Sequence, residues 1–179
     1  MTIADWLTLA RIIIAPIVFF LFFFGNTLTR IIAFVLFGLG AISDTLDGYI
    51  ARKTRLSQFG KLWDPIADKI LTGLALIALA SIGVLPLWIT FALIIRDIVV
   101  TTIRMVKIKK KGKIILPVLI AKLKTTFEMI MIVGLLLWAA IVGDKVPTTL
   151  YWIIHIYGAI VVIMSWGTGI HYIIKSKRI

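Results

Sequence analysis

TRIIAFVLFGLGAISDTLDGYIARKTRLSQFGKLWDPIAD, residues 29–68, joins an apolar run to four aspartates, Asp44, Asp47, Asp64 and Asp68. Its opening part, 29–50, has the length an α-helix needs to cross the hydrocarbon core of a bilayer, which takes about 20 predominantly apolar residues. Working outward, five more runs of this kind lie at 6–25, 65–83, 85–105, 117–143 and 147–174, separated by short polar or Gly/Pro breaks. A chain of 179 residues that is 61% hydrophobic exceeds what one water-soluble domain of this size can hide, so lipid is its expected solvent. The expected fold class is an all-α integral membrane protein of about six transmembrane helices. No linker, repeat or low-complexity tract interrupts it, so a single membrane-embedded domain over 1–179 is expected.

The first run reads as a permanent span and not a secretory leader. Residues 1–5 carry no Lys or Arg, and no small-residue cleavage site closes the run. The absence of cysteine excludes a disulfide framework and thiolate metal ligands.

A formal charge of +12 raises the possibility of nucleic acid, but the positions of the basic residues argue for a membrane. With both termini on one side, Arg52, Lys53, Arg55, Lys61, Lys107, Lys109, Lys110, Lys111, Lys113, Lys175, Lys177 and Arg178 all share that side. The opposite loops hold Arg30 and Lys145. Under the positive-inside rule the basic side faces the cytoplasm across a cell (inner) membrane, with its surplus charge toward anionic headgroups. Nucleic acid is not an expected partner, and 109–111 reads as a solvated, lipid-facing loop.

Of the eight acidic residues in the chain, four fall within 44–68, at the ends of two predicted spans. Asp44 and Asp47 are three apart and Asp64 and Asp68 four apart, so each pair projects from one face of its helix. Four carboxylates gathered in a low-dielectric setting repel one another unless a cation sits among them. Oxygen ligands without His or Cys favour a hard divalent ion, Mg²⁺ or Mn²⁺, and four carboxylates suffice to bridge two ions. Singly, each aspartate also suits an interfacial pair with Arg52, Arg55, Lys61 or Lys69; all four at this spacing do not. Gly48, Ala51 and Gly60, each one turn from an aspartate, leave room for a phosphate.

Asp44-Thr-Leu-Asp47-Gly48-Tyr-Ile-Ala51-Arg52 followed by Gly60-Lys-Leu-Trp-Asp64-Pro-Ile-Ala-Asp68 resembles the signature of the CDP-alcohol phosphatidyltransferase family. The gap between Arg52 and Gly60 is one residue shorter than the family usually shows. The resemblance implies six transmembrane helices, a homodimer and an active site facing the cytoplasm. It also implies attack by an alcohol hydroxyl on the lipid-bearing phosphorus of a CDP-linked donor such as CDP-diacylglycerol, with CMP leaving. By the same resemblance Asp44, Asp47 and Asp64 are metal ligands, and Asp68 is general base while also touching a metal. Gly48, Ala51 and Gly60 then line the cytidine diphosphate, and Arg52 holds a phosphate oxygen through its forked donors. Leu7-Thr8-Leu-Ala-Arg11 resembles a segment that lies near the nucleotide in family members, which places Thr8 at the CDP moiety; Asp5 stands where Asn is usual.

Arg96 and Arg104 are eight residues apart, on nearly one helix face within a span, where buried cations are costly and usually functional. The segments 96–104 and 121–126 resemble those of phosphatidylglycerophosphate synthases, whose acceptor is glycerol 3-phosphate. Arg96, Arg104, Lys122 and Lys124 are thereby expected to bind the acceptor phosphate. Glu128, one turn beyond Lys124, stands where those enzymes more often have Gln. His155 and His171 have no partner at metal-ligand spacing. Within the family the competing acceptors are phosphatidylglycerol, for a cardiolipin synthase, and an inositol phosphate. Outside it, intramembrane charges suit a small ion transporter, although carboxylates at span ends fit alternating access poorly.

Overall fold

The computed structural model describes the backbone of residues 3–51, 58–111 and 119–177, and the side chains within 6–43, 63, 66–103, 105–106 and 123–171. Six helices account for almost all of it: α1 (Ile3–Phe23), α2 (Thr27–Ala51), α3 (Gln58–Ser81), α4 (Leu87–Lys111), α5 (Leu119–Ile141) and α6 (Thr148–Lys177). No strand occurs among the described residues. Each helix covers most of one of the expected apolar runs. Two of them extend into segments expected to be polar interruptions: α3 begins at Gln58, and α4 continues to Lys111, so that 109–111 is helix and not loop. Hydropathy marks where lipid contact starts, whereas Lys, Gln and Leu are good helix formers on either side of that line.

Local chemistry explains the helix ends. Asn26 caps α2, its Oδ1 accepting from the Thr29 amide at 3.1 Å. After α3 the chain turns at Gly83, whose φ of +78° is open to glycine. There the Gly83 amide donates to Ala80 O and the Val84 amide to Leu79 O, both at 3.0 Å, satisfying carbonyls that the helix end leaves free.

The chain divides into two compact units, Met1–Val84 with Val133–Asp144, and Leu85–Ile132 with Lys145–Ile179, the division falling within α5. In the first unit α1 packs on α2 and α3, and α2 on α3. Its core mixes Ala15, Val18 and Phe22 of α1, Ala33 and Phe37 of α2, and a stripe of Ala67, Leu71, Ala75, Ala78 and Leu79 along α3. The small alanines in this stripe let the helix axes approach closely, the form of packing lipid-embedded helices rely on. In the second unit α4 packs on α6, with Trp166 Nε1 donating to Ala92 O at 3.2 Å.

Polarity is distributed inside out. The outer face of α1 is Ile13, Ile17 and Phe20, and that of α6 is Ile153, Ile156, Ile160 and Ile163, all exposed. Arg11, Arg96, Asp97, Lys124 and Glu128 are buried instead. Water would penalise both choices and hydrocarbon favours both. Among the described residues, three segments are long and apolar enough to cross a membrane: Trp6–Phe23, Leu123–Ile141 and Thr148–His171. The apolar part of α2, Thr27–Ser43, is shorter. The protein is an all-α membrane protein.

Arg30 ties the first unit together away from the aspartates. Its Nε donates to Phe22 O at 3.3 Å, Nη1 to Ala139 O at 3.5 Å, and its fork grips Asp144 Oδ1 at 2.5 Å and Oδ2 at 3.2 Å. Arg30→Met removes all of these contacts, and a loss of about 1–3 kcal/mol is expected because Arg30 is nearly buried while Asp144 is half exposed. The measurement is the denaturation midpoint in detergent; an unchanged midpoint means the pair is ornamental.

Candidate active site

Three helices of the first unit converge at Gly40. A Cβ there would lie 2.9 Å from Leu71 Cδ2 on α3 and 3.7 Å from Arg11 Cγ on α1. Because Arg11 meets Gly40 while Phe22 meets Arg30, α1 and α2 run antiparallel. The chain also fixes α3. If α3 ran parallel to α2 through the Gly40–Leu71 contact, Ala51 and Gln58 would stand about 36 Å apart at 1.5 Å per residue. Seven residue steps reach at most about 25 Å. α3 is therefore antiparallel to α2, and one end of the unit gathers Thr8, one turn before Arg11, Asp44 and Asp47, one and two turns beyond Gly40, and Asp68 and Asp64, one and two turns before Leu71.

At that end Thr8 is fully buried and Arg11 is 1% exposed. The Asp68 side chain is partly exposed, with Lys69 Nζ 3.6 Å from its Oδ2. Its backbone carbonyl accepts from Thr72 Oγ1 at 3.0 Å, a bond that leaves the carboxylate available. The side chains of Asp44, Asp47, Gly48, Ala51, Gly60 and Asp64, and Arg52 altogether, lie outside the described residues. Among the described residues no group of three metal-ligating side chains occurs. The fit of a hard divalent ion rests on the chemistry of the donor set: Asp44, Asp47, Asp64 and Asp68 are all carboxylates, with no His or Cys among them, and the described one, Asp68, is partly exposed.

The second unit holds a buried network of charge. Arg96 Nη1 donates to Asp97 Oδ1 at 2.8 Å, and Lys124 Nζ donates to the same oxygen at 3.1 Å. Arg96 is fixed further by Nε to Ser165 O at 2.8 Å and Nη2 to Thr168 Oγ1 at 3.0 Å. Lys124 also pairs with Glu128 one turn along α5. Gly169 lets α6 come close: a Cβ there would sit 3.2 Å from Val100 Cγ2 and 3.5 Å from Arg96 Nε. The structure thus brings Arg96 and Lys124 together through a shared counter-ion. The side chains of Arg104 and Lys122 lie outside the described residues.

Arg11 in the first unit, and Asp97, Ser165 and Thr168 in the second, accompany the expected site residues of their own unit and were singled out by the sequence weakly or not at all. Arg11 had a signal, a cation inside an apolar run. Asp97 stood beside Arg96, but its bond to Lys124 crosses 27 positions.

The family described as CDP-alcohol phosphatidyltransferase matches residues 1–169. The chain belongs to the CDP-alcohol phosphatidyltransferase family. Members of the CDP-alcohol phosphatidyltransferase family generally depend on a divalent metal. Relatives include a probable phosphatidylglycerophosphate synthase of Mycobacterium tuberculosis, 37% identical over 112 residues that cover 60% of this chain and 54% of the relative. A CDP-diacylglycerol–glycerol-3-phosphate 3-phosphatidyltransferase of Rickettsia typhi is 39% identical over 130 residues, 70% of each chain. One of the same name from Bacillus subtilis is 38% identical over 104 residues, 58% of this chain and 53% of the relative. The match spans about half the length of the mycobacterial and Bacillus relatives.

Proposed function

We propose that this protein transfers the phosphatidyl group of CDP-diacylglycerol to sn-glycerol 3-phosphate, giving phosphatidylglycerophosphate and CMP in phospholipid biosynthesis. Two buried cations from different helices, Arg96 and Lys124, held on one carboxylate oxygen, carry the choice of a phosphorylated acceptor. A guanidinium has five N–H donors and an ammonium three, so each keeps donors beyond its bonds here to offer a phosphate. The names of the relatives support the same acceptor.

In this reading Asp68 takes the proton from the acceptor hydroxyl. That oxygen forms a bond to the phosphorus carrying diacylglycerol, and the phosphoanhydride bond breaks with its electron pair leaving on CMP. Asp44, Asp47, Asp64 and Asp68 would hold Mg²⁺ or Mn²⁺, in two sites, and these ions neutralise the diphosphate when bound. Thr8, Gly48, Ala51, Arg52 and Gly60 position the CDP moiety, and Arg104 and Lys122 join Arg96 and Lys124 on the acceptor phosphate.

The chain acts as one membrane-embedded domain over 1–179, multi-pass in a cell (inner) membrane, with the site and both termini cytoplasmic. The one-sided distribution of Lys and Arg supports that orientation. A homodimer amid membrane lipids follows from the sequence resemblance.

The test is CMP release by detergent-purified protein supplied with CDP-diacylglycerol, Mg²⁺ and single acceptors. Release with glycerol 3-phosphate, abolished by chelator and restored by excess metal, is the expected result. Turnover with phosphatidylglycerol or an inositol phosphate alone would replace the acceptor and keep the chemistry. No CMP with any acceptor from folded protein would turn attention to ion transport.

A further inference from the structure

Glu128 is 3% exposed, and one of its oxygens pairs with Lys124. The other, Oε1, is buried with no hydrogen-bond partner among the described residues. A buried carboxylate oxygen left without a donor is costly, and most such atoms find partners. Among the described residues of this network the charges balance: Arg96 and Lys124 against Asp97 and Glu128. Two of the three Lys124 donors are committed, one to each carboxylate.

A phosphate monoester entering this network brings up to two negative charges to cations that already have carboxylate partners. Lys124 cannot serve Glu128 and a phosphate with equal strength. Asp97 is anchored by two cations, Glu128 by one, so Glu128 is the partner that yields. Resting on the acceptor reading above, we infer that Glu128 competes with the acceptor phosphate for the Lys124 ammonium and so sets the affinity for glycerol 3-phosphate. It is a positioning residue that holds Lys124 and moderates its charge. Without it the ammonium would bind the acceptor more tightly.

Glu128→Gln keeps the shape and removes the charge. The expected result is a KM for glycerol 3-phosphate lowered by about threefold or more, with the KM for CDP-diacylglycerol unmoved. The Kd for glycerol 3-phosphate, from calorimetry without the lipid donor, should fall by a similar factor. Inorganic phosphate should become a correspondingly stronger competitive inhibitor. Glu128→Asp, whose carboxylate stops one methylene short of Lys124, moves the KM in the same direction by a smaller factor and provides the test should the Gln variant fail to accumulate.

An acceptor KM that is unchanged or raised, or a fall shared equally by the KM for CDP-diacylglycerol, overturns the role of Glu128 while leaving the acceptor reading in place. Wild-type protein that releases no CMP with glycerol 3-phosphate overturns both.

Discussion

Asp68→Asn is expected to lower CMP release by about a thousandfold, within the 10²–10⁴ that a positioned general base contributes. An amide neither takes the hydroxyl proton nor supplies negative charge to a divalent ion, so two functions fail together. The fold should survive. The Asp68 side chain is partly exposed, its backbone carbonyl bond to Thr72 Oγ1 is untouched, and its contact with Lys69 is at 3.6 Å. Surface ion pairs of that kind contribute little, so stability should change by no more than about 0.5 kcal/mol. Activity and elution volume in detergent, measured together, separate a chemical loss from unfolding. A variant retaining more than about a tenth of wild-type turnover would remove Asp68 from the role of base, since even the weak end of that range exceeds tenfold.

Asp97→Leu should have the largest effect on stability. Its Oδ1 accepts from Arg96 Nη1 and Lys124 Nζ, and both cations are buried, Arg96 being 9% and Lys124 1% exposed. Removing the carboxylate leaves two cations facing each other with Glu128 as remaining anion. Breaking a buried pair by deleting one partner costs about 3–5 kcal/mol, chiefly from the stranded charge. For a chain of this size the thermal midpoint should fall on the order of 10 °C. Asp97→Asn, which still accepts a hydrogen bond, should lose less. Equal stability of wild type and Asp97→Leu would mean that the two cations are neutralised elsewhere.

The six helices were legible because an apolar run is a local property, visible in any window of about 20 residues. Their ends were less so. Gln58–Trp63 and the lysines up to 111 are helical through propensity and continuity, and apolarity does not register either. The acidic motif stood out by its spacing, since i,i+3 and i,i+4 carboxylates share a helix face; of its four side chains the structure describes Asp68. Arg96 stood out as a cation within an apolar span, and Lys124 through the resemblance of 121–126 to phosphatidylglycerophosphate synthases. Their common counter-ion was half visible: Asp97 is next to Arg96, but its reach to α5 depends on packing between helices. The grip of Arg30 on Ala139 and Asp144 spans more than a hundred positions, and no periodicity carries such a pairing.

That last contact bears on the order in which the chain is made. The first unit is discontinuous: α1, α2 and α3 leave the ribosome early, while Val133–Asp144, which belongs with them, follows only after α4. Arg30 therefore waits, its fork without Asp144, until most of the 179 residues have been synthesised. A nascent chain halted shortly after Val84 should be open to proteases at residues that the finished protein shields. The same chain extended past Asp144 should resist them, so the first unit closes only after α4 and α5 have been made.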